Sequence, residues 1–307
     1  MARYRTRGRQ VDGILLLDKP AGLTSNAALQ TVKRLLGARK AGHTGSLDPL
    51  ATGMLPLCFG EATKLSGFLL DADKHYQVQI QLGVRTTTGD AEGDVIARLP
   101  DVSVTRRELE AVLAAFRGRI EQVPPMFSAV KQNGQPLYKL AHQGIEVDRK
   151  PRQVTIHELE VTALQGDRLA MTVHCSKGTY IRTLAEDIGD RLGVGAHVVC
   201  LRRTGVGSFS PTQMVPLDRL EALSREESRD SLDRQLLPVD SALAQWPEIR
   251  LADDVAYFLK KGQPVLVPKA PSRGWVRLYS TCEHFIGVGR ILDDGRVAPK
   301  RMINVAV

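Results

Sequence analysis

Apolar positions run unbroken from Ile14 to Leu17 and stop at Asp18-Lys19-Pro20, which reads as a buried strand closed by a turn. A helix follows, with Ser25 as its cap, Ala28, Val32 and Leu35 on one face, and Gly37 at its end. Residues 40–56, KAGHTGSLDPLATGMLP, are rich in glycine and broken by two prolines, and read as loop. From His75 to Gly83 the alternation is strict, with Tyr76, Val78, Ile80 and Leu82 on one face of a strand. TTTGDAEGDV then reads as a turn. Thr105 to Gly118 has the marks of a helix, with Thr105 and Glu108 spaced as a capping box and Leu109, Val112, Leu113 and Phe116 on its apolar face. Two alternating strands follow near 154–164 and 169–175, then a helix over 181–192.

Residues 218–240 are charged and helix-prone, and near Trp246 the pattern restarts. A short helix at Asp253 to Lys260 precedes short strands in 264–268, 274–279 and 284–292. Strands and helices without a βαβ rhythm predict an α+β class, with a mixed or antiparallel sheet and flanking helices. The predicted organisation is a main domain over 11–245 and a small β-rich domain over 246–307. Residues 124–152, long, basic and proline-bearing, interrupt strand-like sequence on both sides and read as a functional insertion.

The 307 residues carry a net charge of +8 and a pI of about 9.4, a balance that favours a polyanionic partner. Part of the excess is local, since Arg3, Arg5, Arg7 and Arg9 stand in a basic N-terminal arm, residues 1–10, expected to be flexible. The apolar run behind that arm is only Ile14 to Leu17, too short for a signal peptide, and no stretch approaches a membrane span. Cys58, Cys175, Cys200 and Cys282 are scattered, without a CxxC pair or histidines at zinc spacing. Reduced, mostly buried thiols in a cytoplasmic protein are therefore expected. No Walker loop or dinucleotide fingerprint is present, and neither a metal nor a cofactor is expected.

The densest chemistry lies in Gly42 to Gly53, where three glycines surround one carboxylate, Asp48, followed by Pro49. Turn formation alone accounts for an Asp-Pro step in such a loop. The wider stretch GHTGSLDPLATGMLPLCFGEATK, however, resembles the active-site motif of the TruB family of pseudouridine synthases. GILLLDKPAGLTS, HYQVQIQLGVRTTTGDAEGDV, the 124–152 segment, CSKGTYIRTLAEDIG and HVVCLRRTGVGSF resemble the family's other motifs, in order, over roughly residues 11–210. GQPVLVP and IGVGRI more loosely resemble a PUA-type RNA-binding domain.

The resemblance implies that Asp48 is the nucleophile that breaks and remakes the bond between ribose and uracil, at either C1′ or C6, without a cofactor. Arg182 matches the arginine paired with that aspartate. His43, Tyr76, Tyr180 and Leu201 match residues that hold the extruded nucleotide, with Tyr76 stacking on its base. Lys19 and Pro20 match structural supports, and Asp90 reads as a turn residue with a chance of RNA contact. Lys131, Lys139, Arg149, Lys150 and Arg152 lie in the insertion that grips the tRNA T arm in the family's bacterial branch. The implied substrate is the uridine at position 55 of tRNA, and the implied enzyme is a monomer without an obligate protein partner. Two rivals stand beside this reading: the guide-RNA-dependent branch of the superfamily, and a non-catalytic tRNA-binding or folding protein.

Overall fold

The computed structural model describes residues 8–132, 134–226 and 229–304. Strand β1 (Gly13–Lys19) leads into helix α1 (Ser25–Leu35), and β2 (Ala41–His43), β3 (Thr52–Phe59) and the short α2 (Ser66–Asp71) follow. Strand β4 (Lys74–Leu82) precedes a small hairpin of β5 (Val84–Thr86) and β6 (Val95–Arg98), then α3 (Arg106–Leu113) and β7 (Gly118–Gln122). The insertion folds into the two-residue strands β8 (Lys131–Gln132) and β9 (Gln135–Pro136) and the one-turn α4 (Leu137–Ala141). Strands β10 (Arg152–Gln165) and β11 (Arg168–Cys175), helix α5 (Ile181–Arg191), strand β12 (Ala196–Val206), β13 (Val215–Pro216), α6 (Leu217–Glu226) and α7 (Arg229–Asp233) complete the main body. The C-terminal part holds β14 (Glu248–Leu251), α8 (Asp253–Lys260), β15 (Gly274–Ser280), β16 (Phe285–Ile291) and β17 (Val297–Met302).

The architecture is α+β: a nine-stranded mixed sheet in the order β13-β1-β3-β12-β4-β11-β10-β7, with β2 on β3, and a separate four-stranded sheet in the order β14-β15-β16-β17. Strand β12 sits in the middle, parallel to β3 and antiparallel to β4, and joins the Asp48 side of the sheet to the Tyr76 side. On one face, α1, α3, α5, α6 and α7 bury Leu29, Leu109, Leu184, Leu220 and Leu232 in the main core. On the other face of β1 and β3, Ile14, Leu16, Met54 and Cys58 share a second core with Val288, Ile303 and the rings of Trp246 and Trp275. The small sheet is thus packed against the back of β1 and of β3, the strand that leaves the Asp48 loop. Among the described residues no helix is long and apolar enough to cross a membrane.

Several sequence expectations are corrected. Thr24, not Ser25, caps α1, accepting from the Ala27 N–H, which leaves Ser25 free for another task. Residues 40–56 are loop only in their middle, because Ala41–His43 and Thr52–Phe59 are strands. Pro56 is tolerated just beyond the last β2 pair, His43 with Leu57, and its carbonyl still accepts from the Thr44 N–H. Residues 264–268 form no strand; Val265 makes only an isolated bridge to Val297. Arg3, Arg5 and Arg7 lie outside the described residues, whereas Arg9 is held to the body by Asp233 and the Leu36 carbonyl. The four thiols are free, with Cys58 and Cys175 buried but Cys200 and Cys282 exposed.

Candidate active site

The loop between β2 and β3 is held from three sides. The hydroxyl of Ser25 donates to the Leu47 carbonyl at 3.0 Å and accepts from the Leu47 N–H at 2.7 Å, so the start of α1 pins the residue before Asp48. Behind Asp48, the Pro49 carbonyl accepts from the Gly22 N–H at 2.8 Å and from Lys19 Nζ at 3.3 Å. Lys19 is fully buried and also donates to the carbonyls of Pro20 and Leu23, at 2.9 and 2.7 Å. Its ammonium thus ties the turn after β1 to the loop, and burial pulls its pKa down to about 8.

The third support is Arg203 of β12, a buried residue that the sequence reading did not single out. Its Nε donates to the Met54 carbonyl at 2.7 Å and its Nη2 to the Gly45 carbonyl at 2.9 Å. The strands approach so closely here that a Cβ on Gly53, whose φ is +96°, would lie 2.2 Å from the Arg203 carbonyl oxygen. Strand period 2 carries the missing signal, since Leu201 is buried and Arg203 lies two residues on, facing the same way.

Asp48 meets Arg182, in the first turn of α5, at 2.9 Å between Oδ2 and Nε. The arginine side chain is 6% exposed and the aspartate 41%, so one is interior and the other opens to a ligand. The rest of the guanidinium is committed: Nη1 donates to the Thr88 carbonyl at 2.8 Å and Nη2 to the Phe127 carbonyl at 2.7 Å. Nη1 also lies 3.6 Å from Asp90 Oδ2. Asp90 is buried in its turn, its Oδ1 accepting from the Thr88 hydroxyl and the Glu92 N–H, so it braces Arg182 from inside. The Asp48 recess strips water from the carboxyl and raises its pKa above the usual aspartate value, against the pull of Arg182. A second carboxylate, Asp90, pushes in the same direction as burial.

Tyr76 stands on β4 opposite Arg203 on β12 and Val173 on β11. Burial raises its pKa, and the charges of Arg203 and Asp48 both reach it. Leu201 is buried on the same face of β12 as Arg203. Tyr180 is the residue before α5 and offers no side-chain cap; Gln122 instead clamps its backbone, accepting from the N–H at 3.0 Å and donating to the carbonyl at 3.2 Å. Gln122 is a second buried support that the sequence reading passed over. His43 ends β2, its pKa lowered by burial and then by the charge of Arg203, and its buried Nδ1 has no hydrogen-bond partner among the described residues. Pro20 follows Lys19 and supplies one of the carbonyls that the lysine holds. Asp48, Arg182, Tyr76, His43 and Lys19 are therefore joined through Arg203, Asp90 and the loop backbone.

The insertion cations do not share one setting. Lys131, Lys139, Lys150 and Arg152 are exposed. Arg149 is turned inward, its Nη1 donating to the Pro124 carbonyl at 3.2 Å and its Nη2 facing Glu146 at 3.3 Å, so it braces the base of the insertion.

Chemically, the centre offers one partly open carboxylate paired with a buried, fully committed arginine and within electrostatic reach of the Tyr76 phenol. That arrangement suits attack by the carboxylate on an electrophilic carbon of a planar ligand. Three domain families match successive stretches of the chain: "TruB family pseudouridylate synthase (N terminal domain)" over residues 33–181, "tRNA pseudouridylate synthase B C-terminal domain" over 182–244, and "Pseudouridine synthase II TruB, C-terminal" over 247–303. A protein of Nitrosococcus oceani named tRNA pseudouridine synthase B is 59% identical over 97% of both chains. Proteins of the same name from Stutzerimonas stutzeri and Coxiella burnetii are 58% and 56% identical over 99% and 96% of both chains. Among solved structures, a Cbf5-Nop10-Gar1 complex holds a chain 26% identical to this one, with a TM-score of 0.71 over 96% of this chain and 84% of the other.

Proposed function

The chain belongs to the TruB family of pseudouridylate synthases and is a tRNA-pseudouridylating enzyme, and from that premise we propose that it acts on the uridine at position 55, in the T loop, with Asp48 as nucleophile. The observation that carries the proposal is the Asp48–Arg182 pair, a partly open carboxylate held at 2.9 Å by a buried guanidinium. The target base leaves its stack, enters beside Tyr76, Tyr180 and Leu201, and presents its ribose and ring to Asp48. The Asp48 carboxylate attacks at C1′ or C6 and the N1–C1′ bond breaks; the uracil turns, C5 bonds to C1′, the bond to Asp48 is released, and the proton lost from C5 is matched by one gained at N1. Arg182 keeps the nucleophile ionised in a recess that otherwise favours its neutral form, and the Ser25, Lys19 and Arg203 contacts hold it in place. The exposed Lys131, Lys139, Lys150 and Arg152 contact the T-arm backbone. The small C-terminal domain contributes further RNA contact, and the enzyme works in the cytoplasm as a single chain.

The test is tritium release from a T-arm RNA carrying uridine labelled at C5, with the purified chain and no guide RNA. Release by the native chain and none by Asp48→Asn is expected. Release only after a guide RNA is added would favour the guide-dependent reading. Tight RNA binding without release under either condition would favour the binding protein.

A further inference from the structure

Three histidines gather on the face of the main sheet opposite Tyr76, outside the catalytic centre. His75 of β4 and His174 of β11 are cross-strand partners, with rings stacked at 3.9 Å between centroids. His157 of β10 lies 4.7 Å from His174, centroid to centroid. Asp73, just before β4, closes the group, with Oδ2 3.2 Å from His157 Nε2. One ligand atom each from Asp73, His157 and His174 lies within 4.8 Å of the other two.

A local distortion of the ladder produces this grouping. The β10–β11 register slips between Ile156 and Glu158, so His157 is the extra residue of a bulge. Ile156 and Leu159 stay buried, while His157 and Glu158 both emerge on the outer face. A bulge re-aims one side chain without moving the strand, and here it turns an imidazole toward its neighbour on β11 and the carboxylate before β4. An ion pair of His157 with Asp73 would need only two of these groups. The third donor and the stack that fixes its ring call for a further reason.

We propose that Asp73, His157 and His174 form a site for one first-row divalent transition metal ion, with His75 holding the His174 ring in place. Two imidazoles and a carboxylate are a donor set suited to zinc, cobalt or nickel, with the remaining positions taken by water. Two donor atoms at tetrahedral angles around zinc lie about 3.3 Å apart, close to the 3.2 Å between His157 and Asp73. The three donor atoms lie within 4.8 Å of one another, so a shift of at most about 1.5 Å brings them to tetrahedral spacing. Because β4, β11 and β10 are consecutive in the sheet, the ion would cross-link three strands on the face opposite Tyr76.

The test is calorimetric titration of the full chain with zinc chloride in a non-chelating buffer. The exposed Cys200 and Cys282 are replaced by serine so that thiols do not compete. One equivalent should bind with a Kd of about 10 μM or tighter, weakened at least tenfold in both His157→Ala and His174→Ala. Cobalt(II) should give a visible absorption band in the parent protein and not in the variants. Both replaced side chains lie on the outer face, so the variants should melt like the parent without zinc, and only the parent should gain Tm when zinc is added. No stoichiometric binding, or a loss smaller than tenfold in either variant, would overturn the site.

Discussion

Replacing Arg182 tests whether this arginine positions Asp48 for the proposed attack or docks the RNA. In Arg182→Ala, Asp48 loses its 2.9 Å partner, buried Asp90 loses its nearest cation, and the carbonyls of Thr88 and Phe127 lose their donors. Removing one member of a buried ion pair costs about 3–5 kcal/mol. Asp48 is 41% exposed, so water recovers part of this, and about 2–3 kcal/mol is a fair allowance for the transition state. At 1.36 kcal/mol per tenfold change, kcat should fall about 30- to 150-fold. KM for a T-arm RNA should stay within about threefold, since a residue with 6% of its side chain exposed has little surface to offer RNA. Arg182→Lys keeps the charge but cannot serve four acceptors with a planar fork, so its kcat should lie between the two. The pH profile adds a second reading. Burial already raises the Asp48 pKa and Arg182 opposes it, so the acid limb of kcat should move to higher pH in the alanine variant and partly return in the lysine variant. The assay is tritium release under saturating and limiting RNA across pH. A loss confined to KM, or an unmoved acid limb, would refute the positioning role.

Asp48→Asn should abolish turnover yet melt at or above the native temperature at neutral pH. The folded-state pKa of Asp48 is raised, so its ionised form costs stability above the unfolded pKa, and thermal melts of the two proteins check this sign. Lys19→Met would orphan the Pro20 and Leu23 carbonyls, and chemical denaturation should show a loss of about 2–4 kcal/mol, with kcat reduced by the slackened loop. Arg203→Met should bring the His43 pKa back toward its ordinary value, followed by NMR titration, because the guanidinium charge that helps hold it down is gone. Affinity for T-arm RNA should fall steeply with added salt, and Lys150→Ala should reduce the slope of log Kd against log salt; a flat response would exclude phosphate contacts as the main attraction.

Local rules carried much of the fold. The capping box of Thr105 and Glu108 is present in full, and the alternation from Tyr76 to Leu82 faces the core as its period requires. The ends of the Asp48 loop were hidden because Gly42, Gly53 and Pro56 speak for turns, whereas neighbouring strands override that preference. Strand β12 was equally hard to read, since its inner face carries Arg203 where periodicity expects an apolar residue. That arginine is buried only because Gly45 and Met54, roughly 150 residues earlier, present carbonyls to it. Asp90 read as a turn residue with a chance of RNA contact, because nothing local to GDAEG reveals that Arg182 will arrive beside it. The candidate nucleophile sits in a legible motif; the residues that hold it are defined by distant partners.

The insertion leaves the sheet after β7 and returns at β10, and its two ends face one another as the pair Gln122 and Arg152. In topological terms it is an overgrown hairpin bend. Closing a longer bend at a fixed anchor costs only about 0.6 kcal/mol for each doubling of length. Evolution can therefore lengthen, shorten or exchange this segment almost freely while the ladder beneath it stays in register. Phe127, near its start, nevertheless offers its carbonyl to Arg182. Whatever shape such a graft is built to hold, its root remains fastened to the arginine that pairs with Asp48.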